Sequence, residues 1–227
     1  LHKNTYYLST RHTPRLINAD NTPHIMRINI CHQCRSVKAT DFVARYRHIK
    51  QVEALCGDCP NYGKVWSCPP FIVPFDFTPF LTTILIGTVI TLPTDSVQAE
   101  YTTDKCRLLM TEAIDIAWRQ LLPFLYTQER AHTGSRIFTG RCRLCQPEAC
   151  ARTEGLPCRR PAQQRSSLEA VGFDVVSAAR DVLGIEMQWA TENSIPSSIS
   201  LITALFSPQS VDTLPLPKPL SVTIANR

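Results

Sequence analysis

Residues Ile84–Leu92, ILIGTVITL, decide the fold. The run is far shorter than the roughly 20 apolar residues of a membrane span. Its β-branched residues, Ile84, Ile86, Val89 and Ile90, predict a buried strand. Downstream, about Asp104 to Arg130, the period changes. Leu108, Leu109, Ile116, Leu121, Leu122 and Leu125 form one helical face, and Pro123 is expected to kink or break that helix. A buried strand followed by a long amphipathic helix points to a sheet with helices packed against it.

Further elements follow on both sides. His24–Ile30, HIMRINI, reads as an extended strand. A helix starts at Thr40-Asp41 with Phe42, Tyr46 and Ile49 on its apolar face. Pro60, Gly63, Pro69 and Pro70 mark an ordered loop, and a short helix is expected at Thr78–Thr83. Arg136–Thr139 reads as a strand. Ser166 with Glu169 matches a capping box, Gly172 ends that helix, Asp174 caps the next, and Gly184 ends it. Ile185–Ala190 and Ser198–Phe206 read as strands joined by a hairpin across TENSIPS. The expected class is α+β: a small mixed sheet of four strands, helices packed on one face, and two cysteine-rich metal loops. Residues 1–39 are expected to form an N-terminal extension, 40–206 the metal-binding domain, and 207–227 a Pro-rich extended tail.

The chemistry lies in the ten cysteines. Cys142, Cys145, Cys150 and Cys158 sit in GRCRLCQPEACARTEGLPCRRP with spacing C-x2-C-x4-C-x7-C. Four thiols so close together suit a soft metal centre, zinc or iron–sulfur, over hard cations. Upstream lie Cys31 and Cys34, then Cys56, Cys59 and Cys68. Cys31-x2-Cys34 with Cys56-x2-Cys59 resembles a zinc ribbon. The competing set is Cys56, Cys59 and Cys68, completed by Cys31, Cys34 or Cys106, or left with one position open to substrate. Cys106, near the start of the long helix, reads as a buried small hydrophobe. His2, His12, His24 and His48 show no paired ligand spacing and read as surface residues. His32 stands out only because it lies between Cys31 and Cys34.

A hydrophobic content of 44% with 19% charged residues places the chain among soluble globular proteins. The opening LHKNTYYLSTRHTPRL has no continuous apolar stretch, so a cytoplasmic location is expected, where clustered cysteines mean metal or redox chemistry. The net charge of +5 is concentrated beside the quartet. Arg141, Arg143, Arg152, Arg159, Arg160 and Arg165 face only Glu148 and Glu154 between Gly140 and Arg165. A metal–thiolate centre of charge −2 accounts for them, with Arg141, Arg159 and Arg160 as its candidate cofactor-binding residues. The aromatic interleaving of a single-strand-binding surface is missing, so nucleic acid is not an expected partner. G-x-S-x-G, a P-loop, H-E-x-x-H and G-x-G-x-x-G are missing too.

CGDCPNYGKVWSCPPF at 56–71, the quartet at 140–161, and SSLEAVGFD at 166–174 together resemble a bacterial and archaeal family of predicted metal-binding proteins of unknown function. The resemblance covers roughly Phe42 to Trp189. It implies one ligand group of Cys56, Cys59 and Cys68 and another of Cys142, Cys145, Cys150 and Cys158. It leaves Cys31 and Cys34 without a role. The quartet departs from the ferredoxin spacing, and it has one C-x2-C where zinc sites have two. On spacing, a four-iron cluster leads and zinc is the alternative. The expected function is electron transfer or a redox accessory role with a partner protein. A zinc-stabilised interaction module and a metalloenzyme with an open coordination site are the alternatives.

Overall fold

The computed structural model describes residues 25–93, 102–191 and 194–225. His2, His12 and His24 lie outside these residues, as do two residues of the expected TENSIPS hairpin. The architecture is the expected mixed α+β class. Five strands form one antiparallel sheet: β1 (Ile25–Lys38), β2 (Thr82–Thr91), β3 (Arg136–Phe138), β4 (Ser198–Ser207) and β5 (Leu220–Ala225), in the order β3-β4-β2-β1-β5. The helices are α1 (Ala39–Tyr46), α2 (Ile49–Gly57), α3 (Thr103–Ala131) and α4 (Val175–Leu183).

Helices cover both faces of the sheet, not one. The apolar run around Ile84 is central and buried on both sides, so its side chains alternate between two cores. On one face Leu109, Ala113 and Ala117 of α3 pack on Met26, Ile28, Ile30 and Ile90. Farther along α3, Leu121 and Leu125 meet Ile84, Ile86, Ile137 and Leu205. On the other face Leu85, Phe138, Ala204 and Phe206 pack under α1 and α4. Phenylalanines dominate that second core. The Phe206 ring lies 4.9 Å from Phe77, 5.3 Å from Phe138 and 5.8 Å from Phe173, centroid to centroid. Gly87 faces the same side, where a Cβ would come within 2.3 Å of Ile185 Cδ1.

Several local readings change. The segment read as an N-terminal extension supplies β1, which pairs with β2 from Asn29 to Lys38. The segment read as a tail supplies Val211 and Leu214 to the α3-side core and then β5, which pairs with β1. Residues Thr78–Thr83 do not form a helix. The Asp76 carboxylate accepts the Thr78 N–H at 2.9 Å and its hydroxyl at 2.8 Å, fixing a turn, and Thr82 already belongs to β2. Ile185–Ala190 is not a strand: the Gln188 side chain accepts from the Ser197 hydroxyl and the Ser198 N–H, and no ladder forms. Pro123 stays inside one continuous helix. Asp174 caps α4, accepting from the Ser177 N–H at 3.0 Å, and Gly184 ends it with φ 67°. Ser166 is not the cap expected of it. Ser167 Oγ accepts from the Ala170 N–H instead, over a short 3-10 turn that Gly172 ends at φ 96°. No helix among the described residues is long and apolar enough to cross a membrane.

Candidate metal centre

Both cysteine groups stand on loops rooted in the phenylalanine core. The first loop leaves α2, whose last turn carries Cys56. The Cys59 N–H then donates to Cys56 O at 3.0 Å, and the Gly63 N–H to Pro69 O at 2.8 Å, closing the loop over Cys68. The second leaves β3 and is closed at its base by the Thr139 N–H, which donates to Ser166 O at 2.9 Å. Cys150 opens a 3-10 turn that Gly155 ends at φ 71°, which returns the chain toward Cys158.

The two loops are fastened to each other. Arg141 Nη1 donates to Asn61 Oδ1 at 3.1 Å, and the Cys142 N–H to Ser67 Oγ at 3.3 Å. Arg152 donates to Val65 O at 3.0 Å, Cys68 O at 2.6 Å and Pro70 O at 2.7 Å, and its guanidinium lies 5.0 Å from the centre of the Trp66 ring. Trp66 Nε1 donates back to Leu156 O at 2.9 Å. Asn61, Ser67 and Arg152 thus join two sites that the sequence presents as separate. Their only signal in the sequence was their place inside the motifs.

The thiols within each group sense one another. Burial, with Cys59, Glu169 and Cys68 nearby, pushes Cys56 up to about 11. Burial also pushes Cys68 up to about 11, against the Ser67 hydroxyl, Arg141 and Arg152, which favour its thiolate. Cys142 is raised by burial and by Cys158, Cys145 and Cys150. Among the described residues, no three Cys, His, Asp or Glu side chains are gathered tightly enough to hold one metal ion. The donor set nevertheless fits a soft metal centre. It is all sulfur, and the Asn61 N–H and Nδ2 both point at Cys59 Sγ, at 3.4 and 3.6 Å. Such donors stabilise a thiolate.

The remaining cysteines are elsewhere. Cys31 and Cys34 lie on β1, three residues apart and so on opposite faces. Cys31 is exposed, while Cys34 packs toward α3 with its sulfur 3.8 Å from Thr213 Oγ1. His32 sits between the sheet and α3, with its ring nitrogens 2.8 Å from Thr88 Oγ1 and 3.1 Å from Gln120 Oε1. Cys106 is 2% exposed inside the α3 core. Cys106→Ala is expected to leave metal content unchanged and to cost about 1 kcal/mol or less. A loss of metal on elemental analysis would make it a ligand.

The arginines divide into distinct roles. Arg159 pairs with Glu148 at 3.4 Å and Glu154 at 3.7 Å, Arg143 pairs with Asp115, and Arg165 chelates Glu129 at 2.6 Å. Arg160 is exposed. Arg141 and Arg152 both stand between the groups, and Arg141 is the one that senses thiols of both. Burial lowers its pKa, while Cys68, Cys59 and Cys142 favour its charge. Glu169, unremarked in the sequence except as a cap, stands beside Cys56 with its carboxyl raised by burial.

The raised thiols set a pH dependence for the metal-free protein. Groups whose folded values stand at about 11 against an ordinary 9.0 favour folding fully below pH 9 and lose that contribution as pH rises toward 11. The melting temperature is expected to fall across that window. In a Cys56→Ser/Cys68→Ser variant the fall should be shallower, and equal slopes would contradict the assignment.

The sequence model of the family described as Predicted metal-binding protein (DUF2284) matches residues 36–206. No curated protein and no solved structure compared with the chain matches it.

Proposed function

We propose, since this chain belongs to the DUF2284 family of predicted metal-binding proteins, that it is an iron–sulfur protein serving electron transfer or acting as a redox accessory to a partner protein. The observation that carries the reading is the fastening of two all-cysteine loops into one unit through Arg141, Ser67 and Arg152. Cys142, Cys145, Cys150 and Cys158 would hold a four-iron cluster, which when bound takes up and returns a single electron. Cys56, Cys59 and Cys68 would hold a second centre. Arg141, between the two, would stabilise added negative charge at either. The Asn61 amides would fix the direction of the Cys59 sulfur.

The first group also supports a second reading, that of a centre with an open position. The candidates to complete it from outside the quartet lie elsewhere: Cys106 is in the core, and Cys31 and Cys34 are on β1. A non-cysteine ligand or a substrate would complete it. Three of the six arginines near the quartet, Arg143, Arg159 and Arg165, are paired with carboxylates, and Arg141 and Arg152 are taken up by Asn61 and by backbone carbonyls, which argues against a nucleic-acid surface.

Anaerobic purification followed by iron, zinc and acid-labile sulfide analysis tests the proposal. Brown protein with iron and sulfide in comparable amounts is expected. Colourless protein holding zinc, with no sulfide after reconstitution, would replace it with a zinc-stabilised interaction module. Arg141→Gln should lower the reduction potential of the loaded protein, because it removes a cation that stabilises the reduced state. An unchanged potential would remove Arg141 from that role.

A further inference from the structure

A cavity of about 740 Å³ lies between α3 and the second cysteine loop, with Cys142 in its wall. We propose that it binds an organic oxyanion with a flat apolar body, an aryl carboxylate or aryl phosphate, next to the quartet.

The volume is that of a small-molecule site. One flank is a stripe of α3 formed by Trp118, Leu122 and Tyr126, four residues apart, with Pro123 beside them; Trp118 and Tyr126 also border the sheet core. This stripe supplies a flat apolar surface. Trp118 lies so close to the opposite wall that a Cβ on Gly140 would come within 2.8 Å of its ring. The charge is one-sided. Asp115 is the only acid among the described lining residues, and Arg143 neutralises it. Arg165 is held by Glu129 from outside the cavity. Arg119 and Arg130 lie on the α3 side, both exposed and in no direct ion pair among the described residues, although Glu112 lies within electrostatic reach of Arg119 and Arg130 donates to Thr127 Oγ1 at 3.4 Å; Arg141 lies on the loop side. Arg119 and Arg130 are eleven residues apart, about three turns, so they share the cavity-facing side of the helix. Guanidinium groups above an aromatic wall recognise a planar oxyanion by paired hydrogen bonds while the ring body packs below. The apolar flank and the α3 arginines belong to the helix and not to the quartet, so binding can be measured whichever metal the quartet holds.

The test is calorimetric titration of the full chain with 1-naphthoate, 1-naphthyl phosphate, the neutral 1-naphthalenemethanol and inorganic phosphate, with iron and sulfide measured on the same samples. Saturable binding of at least one naphthyl anion is expected, with the alcohol and inorganic phosphate at least about tenfold weaker. The preferred anion identifies the source as carboxylate or phosphate. Arg119→Gln/Arg130→Gln should weaken that anion by about tenfold or more and leave the melting temperature unchanged. Leu122→Trp, which narrows the cavity between Trp118 and Tyr126, should weaken binding by about tenfold or more and serves as a second variant if the first is poorly folded. Equal affinity for the alcohol, unchanged binding in both variants, or no saturable binding overturns the proposal. Anion binding by iron-free samples would leave this inference standing while the iron–sulfur reading fails; iron-loaded samples without binding would do the reverse.

Discussion

Arg152→Ala is expected to lower the metal content of both cysteine loops together and to destabilise the protein by roughly 3 kcal/mol. One guanidinium serves three carbonyls of the first loop from a position inside the second, and it also covers Trp66. Hydrogen bonds to a charged donor are each worth about 1.5–3 kcal/mol, and a cation–π contact about 0.5–1, but these effects share one side chain and do not add. Removing the side chain strands the Val65, Cys68 and Pro70 carbonyls at once. Arg152→Lys keeps the charge but not the fork, so it should recover only a minor part of the loss. Urea melts and metal analysis of wild type and both variants check this. If only the second loop loses metal, the loops are independent and the fastening is incidental.

Phe206→Ala is expected to cost about 4 kcal/mol. Phe206 is fully buried, and its ring meets those of Phe42, Phe77, Phe80, Phe138 and Phe173. Truncation leaves a cavity that these rings cannot all collapse into while Phe138 holds β3 and Phe173 holds the return from the second loop. Phe206→Leu should cost less than half as much, because it refills most of the volume. A change under about 1 kcal/mol in the alanine variant would mean the core repacks freely.

Much of the fold was legible where local chemistry and tertiary demand agree. The Ile84–Leu92 run is a central strand because it is apolar on both sides, and Asp174, Gly172 and Gly184 cap or end elements as their side chains or lack of one dictate. Other local signals had two meanings. Cys31-x2-Cys34 has the spacing of a metal knuckle, yet Met26, Ile28, Ile30 and Cys34 also alternate with the period of a strand, and β1 follows the strand period. Ile185–Ala190 has strand composition, but no strand among the described residues accepts it as a partner. The two loops were visible as cysteine groups. Their union was not, because it rests on an asparagine amide, a serine hydroxyl and an arginine fork from positions 75 to 90 residues apart in the chain, and nothing local encodes such pairings.

The place of β4 in the sheet governs timing. It lies between β2, into which the first loop runs, and β3, which the second loop leaves, yet it follows both loops in the chain. Until Ser198–Ser207 docks, β3 has no partner, Phe206 is absent from the core, and the contacts joining Arg152 to Cys68 must close a long loop without support. The seven thiols of the two groups are therefore expected to stay ungrouped during synthesis, open to oxidation and to mispairing with Cys31, Cys34 and Cys106. A metal centre would be installed late, in competition with oxidation, and recovery of loaded protein after refolding should depend on the reductant present before β4 has docked.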